Sequence, residues 1–140
     1  MAEEHKLHAQ VLTPEGEVFD GEVEQLSTRT SVGEVGIRAN HAPLVGRLVP
    51  AELRLHVSEG ETERYAQAEG WLEVFANKAL VLISEAIPPD ELDASDLKQR
   101  ADDAEQRLKE AEEDSAAYEQ AVRDKARAEA FLEVAEGSGG

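Results

Sequence analysis

The sequence predicts a chain in two parts. The first is an antiparallel β-sandwich or flattened barrel over residues 1–87, and the second is a helical domain over residues 88–140. Three observations predict this. Up to Ile87, short runs of alternating apolar residues are separated by turn residues recurring about every 8 to 12 positions, the pattern of strands that bury one face. Pro88-Pro89-Asp90 then stops the strand pattern, because proline offers no ladder donor and holds the preceding residue extended. From Asp93 to Glu136 there is no Gly or Pro, and the strong helix formers Ala, Glu, Lys, Arg, Gln and Leu dominate.

The elements follow in order. Leu7, Ala9 and Val11 alternate until Thr13-Pro14-Glu15-Gly16 turns the chain, and Leu53, Leu55 and Val57 alternate until Ser58-Glu59-Gly60-Glu61 does the same. Between them stands GEVGIRANHAPLV, residues 33–45. Here Gly33 reads as the tip of a turn displaying Glu34, with Val35 and Ile37 resuming the alternation. Asn40 reads as a tight left-handed corner at Ala39-Asn40-His41, and Pro43 holds Ala42 extended at the entry to the next strand. Trp71–Phe75 and Ala79–Ile87 are the most apolar runs, joined at Ala76-Asn77-Lys78 as a hairpin, and are expected to form the core.

In the helical part, Asp93 or Ser95 is placed to cap the start. Leu97, Ala101, Ala104, Leu108 and Ala111 form one narrow stripe suited to a partner helix, and Ala121, Ala128, Leu132 and Ala135 continue such a stripe, interrupted by Lys125. Asp114 or Ser115 can cap a second helix, but no glycine marks a turn. The residues therefore allow a hairpin of two helices or one helix of about 60 Å. The tail, Gly137-Ser138-Gly139-Gly140, is too rich in glycine to hold a fixed conformation.

Composition narrows the function. The chain carries 14 basic and 31 acidic side chains, for a net charge of −17. Such a charge repels phosphate backbones and anionic headgroups, which argues against nucleic acid and against direct membrane insertion. The start, MAEEHKLHAQ, lacks the apolar stretch of a signal peptide, and no run approaches the roughly 18 apolar residues of a membrane span. With no cysteine there is neither a disulfide framework nor a thiolate zinc site.

Motifs for catalysis are missing. His5 and His8, three apart, would face opposite sides of a strand, and His41 and His56 have no ligand-spaced companion, so no metal site is expected. Nucleophile-elbow, phosphate-loop and HExxH patterns are absent. Gly33 and Gly36 lack a strand-to-helix context, and Glu34 would repel an anion. No cofactor is expected, and a small sandwich enzyme is disfavoured.

GEVGIRANHAPLV resembles the pattern of the epsilon subunit of the F-type ATP synthase, in which a GELGI-type segment leads through a corner into HAPL. The run EGWLEVFANKALVLISEAI, residues 69–87, resembles the second block of that family, and Leu92-Asp93 the opening of its helical part. The resemblance implies a sandwich of about ten strands followed by a two-helix hairpin. It also implies a non-catalytic rotor subunit that ties the gamma shaft to the membrane ring of c subunits, peripheral to the cytoplasmic face of a bacterial cell membrane. It places Gly33, Glu34 and Val35 in the loop meeting the c-ring, and His41 and Pro43 at the edge facing the gamma shaft. The family's helices restrain ATP hydrolysis through basic residues set against the catalytic beta subunit. The corresponding residues here are Arg123, Lys125 and Arg127, surrounded by Glu119, Asp124, Glu129, Glu133 and Glu136.

Two departures matter. Asn40 replaces a frequent glycine before the His, which its left-handed tolerance allows. ATP-binding members follow the Leu-Asp pair with two residues and then Arg-Ala, but here Asp96-Leu97 stand in those positions, so no nucleotide site is expected. The competing reading is a chaperone-like or adaptor protein with a β body and a helical-hairpin arm. It fits the same periods but leaves the HAPL block unexplained.

Overall fold

Ten strands account for the first part of the chain. They are β1 (Leu7–Thr13), β2 (Gly16–Val23), β3 (Gln25–Thr30), β4 (Gly33–Ile37), β5 (Leu44–Leu48), β6 (Ala51–Ser58), β7 (Glu61–Gln67), β8 (Gly70–Phe75), β9 (Lys78–Ile83) and β10 (Ala86–Ile87). The computed structural model describes residues 6–137, and the chain divides into two units between Pro88 and Pro89. His5 and residues 138–140, on which expectations were placed above, lie outside the described residues.

The strands form one sheet in the order β10-β7-β6-β3-β5-β8-β9-β1-β2, with β4 on β3. The sheet folds over itself because β3 serves both layers. Gln25 to Ser27 pair with β6, while Thr30 pairs with Leu48 of β5. Closure is nearly complete, since the backbone N–H of Glu24, just past β2, donates to the His56 carbonyl of β6 at 2.7 Å. The expected sandwich is therefore present, with one qualification. Every pairing is antiparallel except β1 with β9, which is parallel. Those two strands lie far apart in sequence, so no short hairpin dictates their direction.

Alternation places Leu7, Ala9, Val11, Leu26, Leu53, Leu55, Leu72, Val74 and Val81 in a shared core. Polar β7 contributes too. Tyr65 points inward, and the fully buried Gln67 accepts from the Thr28 hydroxyl at 2.6 Å and donates to the Val49 carbonyl at 2.8 Å. These bonds satisfy a buried amide that would otherwise be costly. Burial pushes the Tyr65 hydroxyl up to about 12, helped by its bond to Glu63.

The run from Ala79 to Ile87, read as one strand, breaks at Ser84-Glu85 into β9 and β10, and β10 moves to the opposite end of the strand order to pair with β7. The core expectation for these apolar runs holds for alternate residues only. Trp71, Phe75 and Leu82 are exposed.

In the second unit, a 3-10 turn at Pro89–Glu91 leads to α1 (Ala94–Glu110) and α2 (Ala116–Ala135). Asp93 caps α1, accepting from the Asp96 N–H at 3.1 Å, and Ser115 caps α2, accepting from the Tyr118 N–H at 3.1 Å. The two helices form a hairpin. Asp114 makes the turn in the left-handed region at φ 68°, a conformation aspartate tolerates better than most residues, so no glycine is needed. Gly137, at φ 88°, ends α2. Leu97, Ala104, Ala121 and Ala128 of the expected stripes are buried, and so are Phe131 and Val134, which those stripes omit.

Candidate interaction surfaces

The β3–β4 hairpin ends in a two-residue tip, Ser31-Val32. Thr30 fastens it, since its hydroxyl accepts from the Val32 N–H at 3.2 Å and donates to the Gly33 carbonyl at 2.9 Å. Gly33 sits at φ 135°, where an L side chain is strained. Arg29 and Glu34 face each other across the hairpin at 2.8 Å. The hydrogen bond and charge of Arg29, with Arg54 beyond, hold the Glu34 carboxyl below its ordinary value. Of the three residues expected in this loop, Gly33 and Glu34 lie beside the tip, whereas Val35 packs against the core. The apolar group at the tip is Val32, 92% exposed, which the sequence reading passed over.

The next corner is built by Asn40 at φ 67°. Its N–H donates to the Asn77 side-chain oxygen at 2.5 Å, and the His41 N–H donates to the Arg38 carbonyl at 3.2 Å. His41, Ala42 and Pro43 are exposed, and the His41 ring donates through Nδ1 to the Ala42 carbonyl at 2.7 Å. The Asn40–Asn77 bond ties this corner to the β8–β9 turn, where Ala76 and Asn77 hold φ values of 52° and 63°.

Beside that turn lies an apolar face that the sequence reading missed. Val45 of β5, Trp71 and Phe75 of β8, and Leu82 of β9 are 68%, 53%, 66% and 44% exposed. They belong to adjacent strands, with Trp71 directly between Arg47 and Leu82. The signal was available, because WLEVF and ALVLI are apolar at outward as well as inward positions, which a sheet covered on one face only does not require. The exposed Glu73 stands among these apolar side chains, two residues from both Trp71 and Phe75 and directly across from Val45.

On the helical hairpin, the three basic residues singled out on α2 are engaged within their own unit. Lys125 lies 3.3 Å from Glu105 of α1 and 3.5 Å from Glu129, and the hydrogen bond it donates to Glu105 is the first cause of its raised pKa. Arg123 donates to Gln120 at 3.0 Å. Arg127 adds its charge to the environment of Asp124, whose carboxyl burial pushes up but hydrogen bonds from Gln120 and Arg107 bring below its ordinary value. Asp96, standing where a phosphate-binding cation was sought, pairs with Arg100 at 2.9 Å in the first turn of α1. There its charge favours the helix start.

Among the described residues, no group of three or more His, Asp or Glu is placed to hold a metal ion, and no helix is long and apolar enough to cross a membrane. Taken together, these observations define a β-sandwich and helical-hairpin protein: a nearly closed β body with a fastened polar hairpin and a group of exposed apolar side chains, followed by a two-helix hairpin. Residues 6–89 match the family described as ATP synthase, delta/epsilon chain, β-sandwich domain. An ATP synthase epsilon chain from Persephonella marina is 41% identical over 130 residues, spanning 90% of this chain and 93% of that protein. Another, from Halalkalibacterium halodurans, is 33% identical, spanning 92% and 96%. A chain in the Euglena gracilis mitochondrial ATP synthase shares the fold with a TM-score of 0.81 at 21% identity, over 90% of this chain and 79% of that one. The chain belongs to the ATP synthase epsilon family.

Proposed function

We propose that the chain is a non-catalytic central-stalk subunit of a proton-translocating F-type ATP synthase, linking the gamma shaft to the c-ring on the cytoplasmic face of a bacterial membrane. Family membership and the bacterial sources of its relatives support this reading. The observation that carries it is the concentration of exposed apolar side chains, Val45, Trp71, Phe75 and Leu82, on three neighbouring strands, apolar surface of the kind a partner covers. That face and corner meet the shaft, and the Ser31–Glu34 hairpin meets the ring. Thr30 and the Arg29–Glu34 pair stiffen the hairpin, so a turning partner finds it in fixed register.

A tagged full-length copy purified from membranes is expected to bring gamma and c subunits with it. Trp71→Asp with Phe75→Asp is expected to lose gamma while the purified variant keeps its strand signal in circular dichroism. A mixed population of client proteins in place of synthase subunits would favour the adaptor reading. Regulation through α2 is a weaker component. Of their contacts described above only Lys125–Glu105 crosses between α1 and α2, so opening the hairpin frees Lys125 from Glu105 while Arg123 keeps Gln120 and Arg127 stays near Asp124 on α2. ATP binding by the isolated chain is expected to be undetectable by calorimetry because of Asp96. Micromolar affinity would refute that.

A further inference from the structure

The outward side chains of β5, β8 and β9 form a grid, because residues of the three antiparallel strands stand directly across from one another. One row is Arg47, Trp71 and Leu82, the next is Val45, Glu73 and Leu80, and in the third Phe75 stands across from Lys78. Arg47, Glu73 and Lys78 therefore fall on a diagonal in the order positive, negative, positive, with neighbours in the line about 7–8 Å apart. Apolar groups flank this line, Trp71, Leu80 and Leu82 on one side and Val45 and Phe75 on the other. All three charged residues are exposed, and none makes an ion pair or a side-chain hydrogen bond among the described residues. The other arginines of the β body are engaged: Arg29 donates to Glu34, Arg38 to Gln25, and Arg54 and Arg64 to Glu52. In a chain at −17, carboxylates are plentiful, yet Arg47 and Lys78 are left without one.

We propose that the protein covering this face answers the diagonal with the opposite order: a lysine or arginine against Glu73, between two carboxylates against Arg47 and Lys78, bordered by apolar side chains. This rests on the reading that the shaft subunit covers the face, and it names the residues that set the register of that contact. A covering surface takes water away from Glu73, which has Val45 and Leu80 on either side across the strands and Trp71 and Phe75 on either side along its own. A charge buried without a partner is strongly destabilising, so apolar contact alone cannot seal this face. The alternating order also selects one alignment. A partner displaced by one position along the diagonal would set like charges against each other, which repel.

The test purifies the full-length chain with its assembly and compares the recovery of each accompanying protein across variants whose strand spectrum and thermal midpoint match the parent. Arg47→Glu combined with Glu73→Arg exchanges two charges and leaves composition, net charge and every apolar side chain unchanged. Trp71→Asp with Phe75→Asp removes the apolar contact, and Glu73→Gln is a milder variant of nearly the same shape. The expected result is one protein that the aspartate pair loses, that the exchange retains about tenfold less well or worse, and that Glu73→Gln retains severalfold less well. High salt should narrow the gap between the parent and the exchange. Loss of a protein by the aspartate pair, with full retention by both the exchange and Glu73→Gln, would overturn the proposal. If that protein is gamma, the shaft reading survives and only the charge line fails. If a protein other than gamma is lost by all three variants, the charge line stands and the shaft reading fails. No loss in any variant overturns both.

Discussion

Asn40, Asn77 and Asp114 hold φ values of 67°, 63° and 68°, and each turns the chain where no glycine is present. At Asn40 the requirement is local, so it was legible from residue type. A β-branched residue fits the left-handed region badly, and Asn40→Val is expected to destabilise the body by about 1–2 kcal/mol in urea titrations. Asn40→Gly, which keeps the backbone bond to Asn77, is expected to be close to neutral. Equal midpoints for the Val and Asn proteins would rule out strain at this corner. Gly70 is constrained differently. A Cβ there would lie 1.8 Å from the Leu82 carbonyl oxygen and 2.7 Å from the Ile83 Cα, on the neighbouring strand. Backbone cannot step aside as a side-chain tip can, so Gly70→Ala is expected to cost about 3 kcal/mol or more. A near-wild-type midpoint for it would show that β8 and β9 separate easily. No single-residue rule reveals this requirement, because the clash comes from a strand met only after folding. Ala76 at φ 52° was equally unreadable, since alanine carries no turn signal.

Among elements, strands with one apolar side were legible and strands with mixed chemistry were not. ETERYAQ is polar along most of its length, yet β7 buries Tyr65 in the core and Gln67 through its bonds to Thr28 and the Val49 carbonyl. The helices show the converse. Their alanine stripe was visible, but the larger buried groups, Phe131 and Val134, lie beside it, and whether the helices fold back depended on one aspartate. Ion pairs across the seam, Arg107–Asp124 at 3.0 Å and Lys125–Glu105 at 3.3 Å, then reinforce the hairpin. Asp124 has a lowered pKa in the folded state, so its contribution is complete above its unfolded value near 4 and is lost as pH falls through the folded value. Lys125 is raised, so its contribution is present below the ordinary lysine value and is lost as pH climbs through the folded one. Spin labels at Lys98 and Glu133 are expected to give one short distance at neutral pH that broadens below about pH 4, less so in Asp124→Asn. A neutral-pH distance of about 50 Å, the span of a continuous helix between those positions, would refute the hairpin.

For the whole molecule, the change of hydrophobic period at Pro88 made the two-part organisation readable, because a helix and a strand bury apolar residues at different spacings. The outer surfaces were harder to read. The exposed apolar residues come from three strands, β5, β8 and β9, and strand order is not written in any one of them. Residues 1–87 include β10, so the sheet has all ten strands without the helices. A chain ending at Ile87 is therefore expected to show a strand spectrum and one cooperative thermal transition. Absence of that transition would mean that the β body depends on residues beyond Ile87.

The parallel pairing of β1 with β9 also sets a schedule. His8 to Leu12 register against Lys78 to Leu82, so the strand made first has to wait for a neighbour made about seventy residues later. At a synthesis rate of about 5–20 residues per second, that wait lasts about 4–14 s. Throughout it Leu7, Ala9 and Val11 have only β2 beside them, and β1 keeps an open edge on which a nascent neighbour could pair wrongly. Distant partners of this kind also slow refolding of the finished chain relative to a helical protein of the same length.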